Sequence, residues 1–112
     1  MILGIGCDIV KIDRINEEIS KKILSSEELK IYLKIDSEKR KKEYLAGRFA
    51  AKEAIIKAFG YYIPLRDIAV LNYESGKPYV IIKEKNFVIN VSISHEKEYA
   101  ISYAMVESNT EV

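Results

Sequence analysis

The sequence predicts an α+β fold in which an antiparallel sheet packs against one long helix. Three observations predict it: an apolar run opens the chain, helical periodicity fills its middle, and four β-rich runs follow Pro64. The short connections between those last four runs favour antiparallel neighbours. The element order β-ααα-ββββ keeps the helices apart from most strands, which is typical of α+β proteins.

The opening run, residues 2–10, is apolar except for one acid and contains two glycines. Its length and β-branching favour a buried strand. Cys7 lies within the run, and we expect it to be a small buried hydrophobic residue.

Three helices are predicted next. Isoleucines spaced three and four apart predict the first, over residues 11–23. Ser25 and Glu28 have the spacing of a capping box, so a short helix follows to about Lys34.

The third predicted helix is the longest. Ser37 or Asp36 caps its start, and it runs to about Ala58, with Gly60 ending it. Gly47 in its interior costs about 1 kcal/mol relative to alanine, which indicates a packing or functional reason.

Four strands complete the expected order, at residues 67–73, 77–83, 87–93 and 99–106. Turns are predicted at 74–76 and 84–86, and residues 94–98 close the last hairpin. The polar tail from Glu107 is expected to fray.

Size and composition indicate one globular domain spanning residues 1–112. Hydrophobic residues make up 48% of the 112 residues and charged residues 31%. The net charge of +1 argues against a global attraction to nucleic acid or membrane, so any anion binding needs a local cluster.

One cysteine and one histidine exclude an internal disulfide and a zinc cluster. The first ten residues lack a basic leader and are too short for a signal peptide or a membrane span. A reducing cytoplasm is therefore the expected location.

The middle of the long helix carries the most informative charges. Phe49, Glu53 and Lys57 are four residues apart and share one helix face. An ionised side chain beside apolar surface needs a partner, which a metal ion or a phosphate would supply. Taken alone, the pattern favours the simpler alternative, an exposed ion pair worth at most about 0.5 kcal/mol.

Asp8 is the unusual residue of the first strand. An acid in so apolar a run needs a cation, a hydrogen bond or exposure to solvent. Taken alone, Asp8 is best explained as an acid at the strand end that caps the next helix. Together with Glu53 it offers two carboxylates on adjacent elements, which can hold Mg²⁺ with waters and substrate phosphates.

Basic and polar residues elsewhere allow anion binding. Residues 39–42 are consecutive cations and spread around a helix, so one or two of them can meet a phosphate while the rest form a solvated face. His95 is the only histidine, and a lone histidine is more often structural than functional. The two serines beside it keep phosphate binding open as an alternative. Pro78 suits the first residue of a strand.

Several segments together resemble the holo-acyl-carrier-protein synthase family of small 4′-phosphopantetheinyl transferases. They occur in the family's order and cover most of the chain: GIGCDIVKIDRI (4–15), ILSSEEL (23–29), LAGRFAAKEAIIKAFG (45–60), DIAVLN (67–72), SGKPYV (75–80) and VSISHEKEYAIS (91–102). The chain departs from the family at Tyr61 and Tyr62, where a Thr-Gly pair is frequent, and it lacks a helical insertion before the fourth strand.

The resemblance implies transfer of the 4′-phosphopantetheine of coenzyme A to a serine of apo-acyl carrier protein, a step of fatty acid biosynthesis that releases adenosine 3′,5′-bisphosphate. It makes Asp8 and Glu53 the Mg²⁺ ligands, and Lys57 the residue that meets charge on the leaving phosphate. It further implies the following binding residues: Lys39, Arg40, Arg48 and His95 for phosphates, Lys77 and Pro78 beside the adenosine, and Arg14, Lys21 and Lys22 for the acidic carrier protein.

The resemblance also implies a homotrimer with active sites between subunits, in which His95 comes from the neighbour of the chain that supplies Asp8 and Glu53. Two alternatives stay open from composition and pattern. One is a small nucleic-acid-binding module that uses the basic helix and the tyrosines, whose binding weakens steeply with salt. The other is an oligomerisation domain without catalytic activity.

Overall fold

The computed structural model describes residues 1–109 and has the predicted α+β architecture. Short 3-10 turns at Ile12–Arg14, Glu17–Ile19 and Leu65–Asp67 join the main elements. Those elements are β1 (Ile2–Lys11), α1 (Ser20–Ile23), α2 (Ser26–Leu33), α3 (Glu38–Phe59), β2 (Ala69–Asn72), β3 (Pro78–Ile81), β4 (Phe87–His95) and β5 (Tyr99–Ser108). Across this part of the chain, none of the helices combines the length and apolarity needed to cross a membrane.

The main sheet has three antiparallel strands in the order β1-β5-β4, and α3 packs on one of its faces. Strands β2 and β3 form a separate antiparallel hairpin. The expectation that β3 and β4 pair through a tight turn is therefore wrong. Residues 82–86 carry the chain from one sheet to the other, and β4 pairs with β5 instead.

Two glycines of β1 let the long helix lie directly on the strand. A Cβ atom at Gly4 would lie 1.9 Å from the carbonyl oxygen of Ala58, and one at Gly6 would lie 2.0 Å from that of Ala54. Any side chain at either position would clash with the backbone of α3. At Gly47, a Cβ atom would meet Ile93 at 3.2 Å, so this glycine has a packing reason.

The predicted ends of α2 and α3 are confirmed. The Ser25 hydroxyl accepts from the Glu28 N–H at 3.3 Å, and the Glu28 carboxylate accepts from the Ser25 N–H at 2.8 Å. The Ser37 side chain caps α3, and Gly60 ends that helix in the left-handed conformation, with φ of 82°.

The predicted helix over residues 11–23 is wrong, because only Ser20–Ile23 is α-helical. The N–H of Ile12 donates to the carbonyl oxygen of Glu98 at 2.8 Å, which holds the chain to the β4–β5 connection, and Asn16 is extended. The isoleucines of this segment reach the core from two 3-10 turns, an extended residue and the short helix α1, so their periodicity does not require a continuous helix.

Strand β1 exists as predicted but is not buried on both faces. Ile5 is 74% exposed and Ile9 is 61% exposed, and Cys7 between them is exposed as well. These residues lie on the outer face of the sheet, which we define as the side turned away from α3. Within residues 1–109, no layer of the chain covers this face.

The expectation that the tail frays from Glu107 is wrong for Glu107 and Ser108, which belong to β5. The N–H of Ser108 donates to the carbonyl oxygen of Met1 at 2.9 Å. The rest of that prediction, residues 110–112, lies outside the described residues.

Candidate active site

Asp8 and Glu53 line the same cavity because of how β1 crosses α3. Asp8 follows Gly6 by two residues and so points to the same face of the strand, where α3 lies. The cavity, which we call the acid cavity, has a volume of about 510 Å³. Its other lining residues are Ile9, Val10, Lys11, Arg14, Ile15, Ile19 and Phe49.

The two carboxylates and Lys57 influence one another electrostatically. Burial, and next the negative charge of Asp8, raise the pKa of Glu53, while Lys57 acts in the opposite direction. The Lys57 ammonium donates to the Asp8 carboxylate at 3.2 Å and to the carbonyl oxygen of Cys7 at 3.0 Å. The simple alternative of a Glu53–Lys57 ion pair is therefore replaced by a Lys57–Asp8 pair, and Glu53 remains beside a second carboxylate.

No cluster of three or more His, Cys, Asp or Glu side chains that could hold a metal ion occurs within residues 1–109. A cation in the acid cavity would rely on two carboxylates, with water or substrate oxygens as its other ligands. Mg²⁺ binds in this way in many phosphoryl-transfer sites.

A second cavity of about 560 Å³ contains most of the predicted phosphate-binding cations, and we call it the arginine cavity. Arg48 is 7% exposed, and its Cζ atom lies 4.5 Å from the centre of the Tyr44 ring. Its guanidinium donates a hydrogen bond to the side-chain oxygen of Asn72. Its Nε atom has no hydrogen-bond partner within residues 1–109, and its guanidinium forms no salt bridge there. The remaining lining residues are Ile31, Ile35, Arg40, Glu43, Gly47, Ile93 and His95.

A buried guanidinium with only a neutral acceptor is a strong anion-binding group, because burial is costly for a charge that has no counter-ion. His95 ends β4, and its Nδ1 lies 3.8 Å from the Glu43 carboxylate. Arg40 and Arg48 contribute two positive charges and Glu43 one negative charge, so the cavity favours anions even with a neutral histidine.

Three other predicted nucleotide-binding residues lie outside this lining. Lys39 is exposed in the first turn of α3. Lys77 follows the turn at Gly76, and Pro78 opens β3 opposite Asn72. Both therefore sit on the hairpin that supplies Asn72 to the arginine cavity.

The predicted carrier-binding residues are exposed but do not share one helix. Arg14 lies in a 3-10 turn and lines the acid cavity, whereas Lys21 and Lys22 lie on α1. The Lys41 ammonium forms a salt bridge with the Glu17 carboxylate at 3.4 Å. This pair partly neutralises an acid that is close in sequence to the predicted carrier-binding residues.

The sequence interpretation missed a buried ion pair between α2 and α3. Lys52 is fully buried; its ammonium binds the Glu28 carboxylate and donates to the carbonyl oxygens of Ile23 at 2.7 Å and Leu65 at 3.0 Å. Glu28 also accepts from the N–H of Val70 at 2.8 Å. Burial lowers the pKa of Lys52, and Glu28 opposes that effect. The alanines around Lys52 were the available signal that this helix position is buried.

Asn72 and Tyr44 were also missed. Asn72 carries no sequence signal, because it reaches Arg48 only through the packing of the β2–β3 hairpin against α3. Tyr44 precedes Arg48 by four residues on α3, and that spacing was the available signal.

Comparison with known proteins identifies relatives over nearly the whole chain. The family model described as the 4′-phosphopantetheinyl transferase superfamily matches residues 4–104. A holo-[acyl-carrier-protein] synthase of Petrotoga mobilis is 51% identical over 95% of this chain and 97% of its own length. One from a Geobacillus species is 46% identical over 96% and 98%, respectively.

Solved structures of similar proteins share this fold. A crystal structure of a holo-(acyl-carrier-protein) synthase from Bacillus anthracis, in complex with CoA (3′,5′-ADP), superposes with a TM-score of 0.90 at 37% identity. The match covers 96% of this chain and 98% of that one.

Proposed function

Since this chain belongs to the 4′-phosphopantetheinyl transferase superfamily and is an enzyme of the holo-acyl-carrier-protein synthase type, we propose that it modifies apo-acyl carrier protein in a Mg²⁺-dependent reaction. The 4′-phosphopantetheine group of coenzyme A passes to a carrier serine, and adenosine 3′,5′-bisphosphate leaves. The observation that carries the proposal is the shared cavity of Asp8 and Glu53, two carboxylates from distant parts of the chain.

The residues of the acid cavity fit Mg²⁺. Burial, and next the negative charge of Asp8, raise the pKa of Glu53, and a divalent cation would relieve both the burial of the charge and the repulsion between the carboxylates. When bound, the metal supplies charge neutralisation for the diphosphate of coenzyme A. Asp8 and Glu53 are its protein ligands.

The chain's own residues then arrange the proton and the leaving group. Glu53, directly or through a water, accepts the proton of the carrier serine as the serine oxygen attacks the β-phosphorus. The bond from that phosphorus to the bridging oxygen breaks, and the electrons remain on the departing nucleotide. Lys57, whose ammonium pairs with Asp8 beside the cavity, is the residue proposed to meet the new negative charge.

The arginine cavity is the proposed site for the nucleotide phosphates. Arg48 and Arg40 lie within it together with His95, and its apolar wall suits a base or a ribose. Lys39 lies at the exposed start of α3, and Lys77 and Pro78 are on the adjoining hairpin, where they would border the adenosine.

Two observations support a homotrimer with active sites between subunits. The acid cavity and the arginine cavity are lined by different residues, so a neighbouring chain could add its phosphate-binding groups to the acid cavity. The outer face of the sheet exposes a continuous apolar surface that includes Ile5, Ile9 and Tyr103. A second copy that covers this face can supply His95 to the acid cavity of its neighbour.

The carrier protein is expected to dock beside the acid cavity. Arg14 lines that cavity, and Lys21 and Lys22 add exposed positive charge nearby in the chain. An acidic carrier would meet these residues through charge complementarity. A reducing cytoplasm remains the expected location, since Cys7 is an exposed free thiol and coenzyme A is itself a thiol.

One assay tests the proposal. The protein is incubated with apo-acyl carrier protein, coenzyme A and Mg²⁺, and mass spectrometry detects the phosphopantetheine arm on the carrier serine. Omitting Mg²⁺ and adding a chelator should stop transfer, and restoring the metal should recover it. A carrier that stays unmodified under every metal condition would contradict the proposal, and activity that persists with the chelator would contradict its metal dependence.

A further inference from the structure

Asn72 connects the buried arginine of α3 to the turn of the β2–β3 hairpin. Its side-chain oxygen accepts a hydrogen bond from Arg48, and its side-chain nitrogen donates to the carbonyl oxygen of Gly76 at 2.8 Å. The N–H of Tyr73 donates to the carbonyl oxygen of Lys77 at 2.9 Å and closes the same turn. One amide therefore links a cation on the long helix to a loop on a separate sheet.

The partners determine the orientation of this amide. A guanidinium can only donate hydrogen bonds, and a backbone carbonyl can only accept them. Only one placement of the Asn72 oxygen and nitrogen satisfies both neighbours. Asn72 therefore cannot flip without losing two hydrogen bonds.

The neutral charge of Asn72 is as important as its position. Arg48 is almost completely buried, and its hydrogen-bond acceptor carries no charge. A carboxylate at the same place would orient Arg48 equally well but would neutralise it. An amide orients the guanidinium and leaves its positive charge available to an anionic ligand in the arginine cavity.

We propose that Asn72 is a positioning residue for coenzyme A: it aims Arg48 at a phosphate of the nucleotide and fixes the 73–77 turn beside the same site. The inference rests on the proposed function, because that function identifies the anion in the arginine cavity. Asn72 acts through Arg48 and the turn, and it does not take part in bond making or breaking.

Three substitutions of Asn72 separate its charge from its hydrogen bonds. Asn72→Asp keeps an oxygen acceptor for Arg48 but adds a negative charge and removes the donor to Gly76. Asn72→Ala removes both hydrogen bonds without adding charge. Asn72→Gln retains both kinds of group on a longer side chain. Asn86→Asp, in the exposed segment before β4, makes the same change of charge far from the site and is the matched control.

Calorimetry measures the Kd of each full-length variant for coenzyme A, and steady-state kinetics with carrier protein measure KM and kcat. We expect Asn72→Asp to raise both Kd and KM at least tenfold and Asn72→Ala to raise them about threefold. We expect Asn72→Gln to recover most of the affinity, and Asn86→Asp to behave like the wild type. At saturating coenzyme A, kcat should stay within twofold of the wild-type value.

The salt dependence of Kd provides a second readout, which a purely structural role would not change. Removing one effective positive charge from the cavity should make coenzyme A binding by Asn72→Asp less sensitive to ionic strength than binding by Asn72→Ala. If Asn72→Asp does not fold, the comparison of Asn72→Ala with Asn72→Gln still decides the question.

The inference is overturned if the Asn72 variants bind coenzyme A like the wild type, or if they lower kcat without changing Kd. A wild-type protein that transfers no phosphopantetheine contradicts the proposed function instead. The two failures are therefore distinguishable.

Discussion

The Lys57 ammonium lies 3.2 Å from the Asp8 carboxylate and ties the C-terminal half of α3 to the inner face of β1. This pair leaves Glu53, one helical turn before Lys57, beside a second carboxylate in the same cavity. A cation that enters the cavity finds two acids, and it competes there with the Lys57 ammonium on Asp8 and with the positive charges of Lys11 and Arg14 in the lining.

Replacing Glu53 with Gln should reduce phosphopantetheine transfer at least 10³-fold, because the variant loses a metal ligand and a proton acceptor together. The fold should persist, since Glu53 faces the cavity and not the core. Transfer is measured by mass spectrometry of the carrier protein, and folding by circular dichroism. Glu84→Gln, on the segment between the sheets, should retain full activity. Near-normal turnover by Glu53→Gln would remove Glu53 from the mechanism.

The raised pKa of Glu53 predicts how the stability of the metal-free protein depends on pH. Between the ordinary value of 4.5 and the higher pKa of the folded state, the folded protein binds more protons than the unfolded chain. The contribution of Glu53 to stability is therefore fully present below pH 4.5 and is lost as pH rises through the folded pKa.

The Glu53→Gln variant cannot ionise at this position, so it does not lose stability in this way as the pH rises. Its stability advantage over the wild type should grow from pH 4 to 8 and stay below about 1 kcal/mol, because solvent screens a partly exposed group. Thermal unfolding in the presence of a chelator measures it. Adding Mg²⁺ should stabilise the wild type but not the variant. If the wild type instead became more stable than the variant as the pH rises in the chelated samples, the predicted direction of the pH dependence would be wrong.

His95→Ala should chiefly weaken coenzyme A binding. His95 lines the arginine cavity, and its loss removes a hydrogen-bonding group from the proposed phosphate site. We expect KM for coenzyme A to rise roughly tenfold, which corresponds to about 1.4 kcal/mol, with a smaller change in kcat. An unchanged KM would mean that His95 does not contact the nucleotide.

Lys52→Met should destabilise the fold by about 3–5 kcal/mol, because it leaves the Glu28 carboxylate buried without its cation. Urea unfolding measures the change in the free energy of unfolding. The double variant Lys52→Met with Glu28→Gln should lose less than the sum of the single variants, since neither charge then remains unpaired. Lys97→Met, on the exposed β4–β5 connection, should change stability little. Additive losses would contradict the pairing.

Ile5→Glu should dissociate the proposed trimer, because it places a charge on the apolar outer face. Analytical ultracentrifugation should find a trimer in the wild type and a smaller species in the variant, with transfer lost in parallel. Lys34→Glu, after α2, is a control that adds the same acidic side chain elsewhere. A wild-type monomer with full activity would eliminate the interface.

The elements that the sequence predicted well are those that local interactions determine. Ser25 and Glu28 bond to each other within one helical turn, and Gly60 adopts a backbone conformation that side chains disfavour. The predicted helix over residues 11–23 failed because the same isoleucine spacing fills the core from short turns and a four-residue helix as well as from one long helix. Its contact with Glu98 is distant in sequence and leaves no periodic signal.

The residues of the candidate site likewise fall into those that the sequence indicated and those that only the structure revealed. Asp8 and Glu53 stood out because a carboxylate is unexpected in an apolar strand or on a helix rich in alanine, but their site role was implied only by the family resemblance. The roles assigned to them stay predictions, although one cavity holds both. Lys52 and Asn72 were not recognised, because their partners lie on other elements.

By itself, the sequence determined the helix caps, the approximate positions of the strands and the family, and it predicted the two acids as a site. Tertiary structure alone decided that Lys57 pairs with Asp8, that Arg48 is buried against a neutral amide, and that one sheet face remains uncovered. The physical reason is that caps and periodicity depend on neighbours within a few residues. Burial and charge pairing depend instead on which distant backbone approaches, as the glycines of β1 allow α3 to do.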